Sequence, residues 1–321
     1  MDYVHLGRTG LKVSRLCLGT MNFGPHTSEK DSHRILDTAL DSGVNFVDTA
    51  NVYGGTTGVT ETLLGNWISQ DPKNRDRIVL ASKVYGKMSD EINDRGLSAY
   101  NIRKACEASL RRLKTDHIDL YQMHHIDRDT PWDEVWQAME QLVREGKVLY
   151  VGSSNFAGWH IARANEIASQ RNFMGLVCEQ SLYNLNNRMV ELEVLPACRE
   201  YGLGVIPWSP LDRGLLGGML KKSEKVRREG RDVSERIEQH RHQLEQWEAF
   251  CDQRGDSPAV VALAWLLHQP DVTAPIVGPR TLGQFQEELK ALEVSLSEQE
   301  LQKLDEIWPG PGGKAPEAYA W

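Results

Sequence analysis

The chain has 321 residues, 40% hydrophobic and 26% charged, which is long enough and apolar enough for one large folded core. A formal net charge of −8 argues against a nucleic-acid partner, which needs a net basic face, while leaving room for a local patch that holds a phosphorylated small molecule. Five scattered cysteines without a CxxC pair, no run of ~18 apolar residues and no apolar stretch behind the first residues point to a cytoplasmic protein with reduced thiols, no metal site, no membrane span and no signal peptide.

Residues 1–13, with a turn signal at Gly7 and Gly10, read as a short β-hairpin. Short β-branched runs then alternate with amphipathic stretches. RLCLGT (15–20) precedes SEKDSHRILDTALDSG, which Ser28 caps and Gly43 stops. VNFVDT (44–49) precedes VTETLLGNWISQ, RIVLASK (77–83) precedes AYNIRKACEASLRRL, and HIDLYQMH (117–124) precedes WDEVWQAMEQLVREG. VLYVGSSN (148–155), LVCEQ (176–180) with MVELEVLPACREYG behind it, GVIPWS (204–209) and PIVG (275–278) complete eight candidate strands. Strict alternation implies parallel strands with right-handed crossovers. Eight units suit a single-domain (β/α)8 TIM barrel over residues 1–321, the hairpin plugging its N-terminal end and an extra loop and helix following at the C-terminus. The open doubly wound sheet is the alternative, but no GxGxxG follows any candidate strand. The charged segment 221–243 reads as a solvated loop or mobile helix, and the Pro/Gly-rich ending as loop, on which Tyr319 and Trp321 are unusual.

Active-site groups of such a barrel sit at the C-terminal ends of strands. Those ends are Gly19-Thr20-Met21, Asp48 with Tyr53, Lys83, His124-His125, Ser153-Ser154-Asn155, Gln180, Trp208-Ser209 and Gly278-Pro279-Arg280. Four can form one proton-donating unit. A carbonyl that accepts hydride becomes an alkoxide and needs a nearby acid, for which Tyr53 is placed. Lys83 is expected to lower the Tyr53 pKa, Asp48 to keep Lys83 charged, and His124, as a neutral imidazole, to donate to the carbonyl oxygen. Each also has a plainer reading: Asp48 as a turn cap, Tyr53 as a loop aromatic, Lys83 as a surface residue. The two histidines could bind a metal, but neighbours on a strand should point to opposite faces.

These residues carry a resemblance. FVDTANVYG (Asp48, Tyr53), LASKV (Lys83) and DLYQMH (His124) resemble the catalytic tetrad of the aldo-keto reductases. LGRTGLKVSRLCLGTMNFG, VGSSNF, EQSLYN, WSPLDRGLLGG and PIVGPRT are similar to that family in the same order. The resemblance implies NADPH/NADP+ bound across the barrel mouth. Ser154, Asn155 and Gln180 would hold the nicotinamide carboxamide, and Trp208 would stack on the ring. Gly19, Thr20 and Met21 would lie beside the nicotinamide ribose, and Asp48 would also contact the cofactor. Ser209, Pro210, Leu211, Gly214 and Leu216 would cross the pyrophosphate. Gly278, Arg280, Gln284 and Glu288 would meet the adenosine end, with Arg280 on the 2′-phosphate. Glu288 stands where the family often has asparagine. Met21, Tyr53, Tyr85, His124, His125 and Trp132 would line the pocket of a small-molecule carbonyl substrate. The implied function is NADPH-dependent reduction of aldehydes and ketones. The alternatives are a nucleotide-sugar or deoxysugar ketoreductase, a Schiff-base aldolase on Lys83, and a non-catalytic nucleotide-sensing subunit.

Overall fold

The first residues fold as a hairpin, β1 (Tyr3–His5) pairing antiparallel with β2 (Lys12–Ser14). Its Leu6 and Val13 are fully buried among Cys17, Phe46, Leu120 and Ile206, the apolar residues inside the barrel, so the hairpin closes one end. Gly7 makes the docking possible: at φ +56° a Cβ there would sit 2.6 Å from backbone atoms of Gly202, Gly204 and Val177. The computed structural model describes residues 1–55, 58–221 and 231–312, with the backbone alone for 231–233.

The eight expected strands follow as β3 (Cys17–Gly19), β4 (Phe46–Asp48), β5 (Val79–Val84), β6 (Ile118–Met123), β7 (Val148–Ser154), β8 (Leu176–Gln180), β9 (Gly204–Val205) and β10 (Ile276–Val277). All pair in parallel, in the order β10-β3-β4-β5-β6-β7-β8-β9. The Thr273 N–H donates to Val205 O and the Ile276 N–H to Pro207 O, both at 2.8 Å, while Ile276 pairs with Cys17 of β3. These bonds close the ring. The fold is a (β/α)8 barrel.

Around it lie α1 (Glu29–Asp41), α2 (Val59–Ile68), α3 (Pro72–Asp76), α4 (Ala99–Leu113), α5 (Trp132–Arg144), α6 (Gly158–Gln170) and α7 (Val194–Tyr201). Then come α8 (Arg231–Gln239), α9 (Arg241–Arg254), α10 (Pro258–His268), α11 (Leu282–Leu289) and α12 (Glu298–Ile307). The capping signals act as expected in α1: Ser28 Oγ accepts from the Asp31 N–H at 3.2 Å, and Gly43 leaves the helix at φ +83°. Helix α5 shows the packing logic. It buries Val135, Trp136, Met139 and Leu142 on one stripe, and the Trp136 indole N–H donates to Ala164 O in α6 at 3.0 Å.

The charged segment departs from expectation where the structure describes it. Helix α8 is docked, with Ile237 only 3% exposed and Arg236 paired to Asp212 at 2.7 Å. Ile237 anchors it to the core and the Arg236–Asp212 pair ties it to the loop after Trp208. Residues 222–230, Tyr319 and Trp321 lie outside the described residues. Among the described residues no helix is long and apolar enough to cross a membrane.

Candidate active site

Asp48 ends β4, Lys83 lies one residue before the end of β5, and His124 follows β6, so parallel pairing brings all three to one rim. Tyr53 reaches the same place from a tight turn, with its N–H on Ala50 O at 3.2 Å and Gly54 behind it at φ +75°. The fully buried Lys83 ammonium donates to Asp48 Oδ2 at 2.6 Å, Thr49 O at 2.9 Å and Tyr53 Oη at 3.0 Å. Three N–H donors meet three acceptors, so the charge is fully compensated. Burial pulls the Lys83 pKa down, but Asp48 and Tyr53 outweigh it, and the net direction is up.

Tyr53 corrects an expectation. Lys83 does pull its pKa down, but burial, aided by Asp48, pushes harder, and the phenol ends above its ordinary value. It therefore holds its proton at neutral pH. The His124 ring stands edge-on to Tyr53, 5.9 Å between centroids. Burial, then Lys83 and His125, lower its pKa to about 2, so it is a neutral imidazole at any working pH. His125 is not on the opposite face: the two rings stack at 5.1 Å and 8°. Regular pairing of β6 stops at Met123, so strand alternation no longer governs the pair.

The adjoining rim is built from β7 and β8. Asn155, in the left-handed region at φ +59°, donates through Nδ2 to Ser154 Oγ at 2.9 Å and accepts from Trp208 Nε1 at 2.9 Å. Gln180 Nε2 donates to Asp48 Oδ1 at 3.0 Å, tying this wall to the Asp48–Lys83–Tyr53 cluster. Two buried residues here escaped the sequence reading, Gln122 and Glu179. The only signal for either is a polar residue inside an apolar run, in DLYQMH and LVCEQ.

Glu179 accepts from Ser153 Oγ, from Ser181 Oγ at 2.7 Å and from the Phe156 N–H at 3.1 Å, bracing the turn that carries Asn155. Burial pushes its carboxyl up to about 7 against those hydrogen bonds. Between the unfolded value of ~4.3 and that level the native state holds the extra proton, so stability falls as pH rises through the window. Glu179→Gln is expected to gain up to about 3 kcal/mol over the parent between about pH 5 and about pH 8, measured by denaturant unfolding at both. A difference that stays constant with pH would remove Glu179 as the titrating group.

The remaining candidates spread from there. Gly19 and Thr20 are buried, with Thr20 Oγ1 on Asp48 O at 2.9 Å, while Met21 is 59% exposed at the mouth. Tyr85 meets His125 edge-on at 5.4 Å, and Trp132 meets Phe156 at 6.0 Å, an aromatic border beside the histidines. The loop after Trp208 is strained: Ser209, Asp212 and Arg213 have φ of +53°, +46° and +54°, and Asp212 is held by Asn186 at 2.9 Å and by Arg236. Pro210 has no N–H, and the N–H groups of Gly214 and Leu216 both bond to Leu211 O. Leu216 is fully buried and supports the loop from the core, whereas a Cβ at Gly214 would meet open space. Arg280 is exposed and, among the described residues, its guanidinium has no carboxylate partner; its own N–H is held by Gln284 Oε1 at 2.8 Å. Asn22 Nδ2 donates to Gly278 O at 2.7 Å. Glu288 is buried, its Oε2 has no partner among the described residues, and burial pushes its carboxyl up to about 8.

A profile of the aldo/keto reductase family matches residues 15–309. The chain belongs to that family. It is 56% identical to an uncharacterized oxidoreductase, YrpG, of Bacillus subtilis over the whole of both chains. It is 34% identical to norsolorinic acid reductase A of Aspergillus parasiticus, over 94% of this chain and 79% of the relative. With a putative aryl-alcohol dehydrogenase of Schizosaccharomyces pombe it shares 32% identity over 95% of each. This aldo/keto reductase is thus an oxidoreductase of carbonyl and alcohol groups, from a family that generally works with NAD(P)H.

Proposed function

We propose that the protein reduces aldehydes and ketones to alcohols with NADPH, Tyr53 giving the proton. The observation that carries this is the Tyr53 hydroxyl 3.0 Å from an ammonium that Asp48 and Thr49 already compensate. A buried phenol keeps its proton until the substrate oxygen becomes basic. Lys83 then stabilises the phenolate left behind, a charge that exists only after transfer. Neutral His124 orients the carbonyl oxygen. The bound cofactor supplies the hydride.

The residues present fit such a dinucleotide. Ser154, Asn155 and Gln180 offer hydroxyl and amide groups to the carboxamide, and half-buried Trp208 offers a ring face. The open space at Gly214 admits a pyrophosphate beside the loop, and the exposed Arg280 guanidinium suits a 2′-phosphate. Glu288, protonated at neutral pH, offers one donor and one acceptor, as an asparagine amide would, and so suits the adenine edge. An aldolase role for Lys83 fits poorly, because a Schiff base needs a free amine and all three N–H groups here are engaged.

The direct test is NADPH oxidation against aldehydes, ketones and keto-sugars, with aromatic aldehydes included because of the Tyr85–His125 border and the aryl-alcohol relative. NADPH binding without turnover on the whole panel would favour the nucleotide-sensing alternative. Borohydride trapping of a substrate on Lys83 would favour the aldolase. Arg280→Ala is expected to weaken NADPH about ten- to a hundredfold, the loss of charged hydrogen bonds, and to leave NADH unchanged. Equal weakening of both by calorimetry would take Arg280 off the 2′-phosphate.

A further inference from the structure

We infer that Gln122 is a positioning residue that fixes which way the Gln180 amide faces, and so what chemistry the mouth presents to a ligand. The inference rests on the dinucleotide reading above. Gln122 lies on β6 with no exposed surface, so it cannot touch a ligand itself. Its Nε2 donates to Asp48 Oδ1 at 3.1 Å, and its Oε1 accepts from Gln180 Nε2 at 3.3 Å. Gln180 Nε2 also donates to the same Asp48 oxygen at 3.0 Å. Asp48 Oδ2 is taken by Lys83 at 2.6 Å, so the carboxylate meets three donors on two oxygens.

The polarity of this chain has one consistent solution. A carboxylate only accepts, so both amides must turn their NH2 groups toward Asp48. Both Gln180 N–H bonds are then directed inward, to Asp48 and to Gln122. A flipped Gln180 would bring its oxygen against the carboxylate and against Gln122 Oε1, two acceptor–acceptor contacts. Gln180 therefore keeps its carbonyl oxygen for the mouth, where it accepts an N–H, as the NH2 of a carboxamide provides. The barrel makes room for this device. Gln122 pairs with Gly152 of β7, where a Cβ would stand 3.1 Å from Gln122 Cγ and 3.2 Å from Cys178 O.

Two substitutions separate orientation from packing. Gln122→Met keeps the bulk and removes both hydrogen bonds of Gln122, leaving Gln180 held by Asp48 alone. Gln122→Glu keeps the shape and makes the pattern depend on a proton: the protonated acid donates to Asp48 and accepts from Gln180 as the amide does, while the carboxylate repels Asp48. The charged or titratable groups around Asp48 here include buried Lys83, Cys17 and Cys178 and half-buried Tyr53.

Dissociation constants for NADPH and for 2′,5′-ADP, which lacks the nicotinamide, are measured for the parent and both variants across pH. Gln122→Met is expected to weaken NADPH about tenfold and leave 2′,5′-ADP unchanged. Gln122→Glu, which when protonated keeps the donor to Asp48 and the acceptor for Gln180, should bind NADPH like the parent at low pH. Equal weakening of both ligands, no weakening by Gln122→Met, or a Gln122→Glu chain as weak as Gln122→Met at low pH would overturn the positioning role. A parent chain that binds no NADPH would instead overturn the dinucleotide reading on which it stands.

Discussion

Tyr53→Phe is expected to lower carbonyl reduction by about a hundred- to ten-thousandfold, the range a positioned general acid contributes, while NADPH affinity stays within about twofold. The ring and its edge contact with His124 remain, and only the hydroxyl 3.0 Å from Lys83 is lost. No neighbour replaces it. His124, held near a pKa of about 2, is a neutral imidazole whose N–H can donate a hydrogen bond but is not an acid, and Lys83 is held above its ordinary value. The pH profile gives a second readout. A tyrosine raised above its ordinary value keeps the parent active through neutral pH, and the rate falls only as alkali removes the phenolic proton. That alkaline limb should vanish in the phenylalanine variant. Turnover equal to the parent, with the limb intact, would mean another group is the acid.

The barrel was legible because each strand body is apolar and each strand end is polar, a pattern that survives without tertiary knowledge. The lengths of the last two strands were not. Regular pairing covers only Gly204–Val205 and Ile276–Val277 because Pro207 and Pro275 have no N–H for a ladder. Among the helices that the sequence did not reveal, α6 and α10 were hidden for opposite reasons. α6 follows Ala157, whose side chain cannot cap it, and α10, PAVVALAWLLH, is apolar on nearly every face and shows no helical stripe. Within the site, chain order placed Asp48, Tyr53, Lys83 and His124 at successive strand ends. The net direction of the Tyr53 pKa was beyond the sequence, because desolvation depends on what the closed ring packs around it. Gln122 and Glu179 were hidden for a related reason. Each lies one residue before the end of its strand, and whether such a residue meets a polar partner depends on register across neighbouring strands.

Lys83→Met should cost about 3–5 kcal/mol of stability as well as nearly all activity, because it removes one partner of a buried ion pair and leaves the other in place. The methionine stem can follow the lysine chain, so little packing is lost. What is lost is the donor at 2.6 Å from Asp48 Oδ2, on a side chain only 2% exposed, with Gln122 and Gln180 bonded to the other oxygen. The sign of the lysine's own contribution is fixed: its raised value adds stability present below ~10.4 and lost as pH climbs through the folded value. A second change separates charge from catalysis. Adding Asp48→Asn to Lys83→Met removes the stranded carboxylate and should restore most of the lost stability, since a neutral pair in a dry site carries no desolvation penalty for charge. It should restore no turnover, because nothing then compensates the Tyr53 phenolate. Denaturant unfolding of the parent, the single and the double variant decides the first point, and single-turnover reduction decides the second. A Lys83→Met chain as stable as the parent would mean the pair is not dry, and an active double variant would mean the lysine is not needed by the acid.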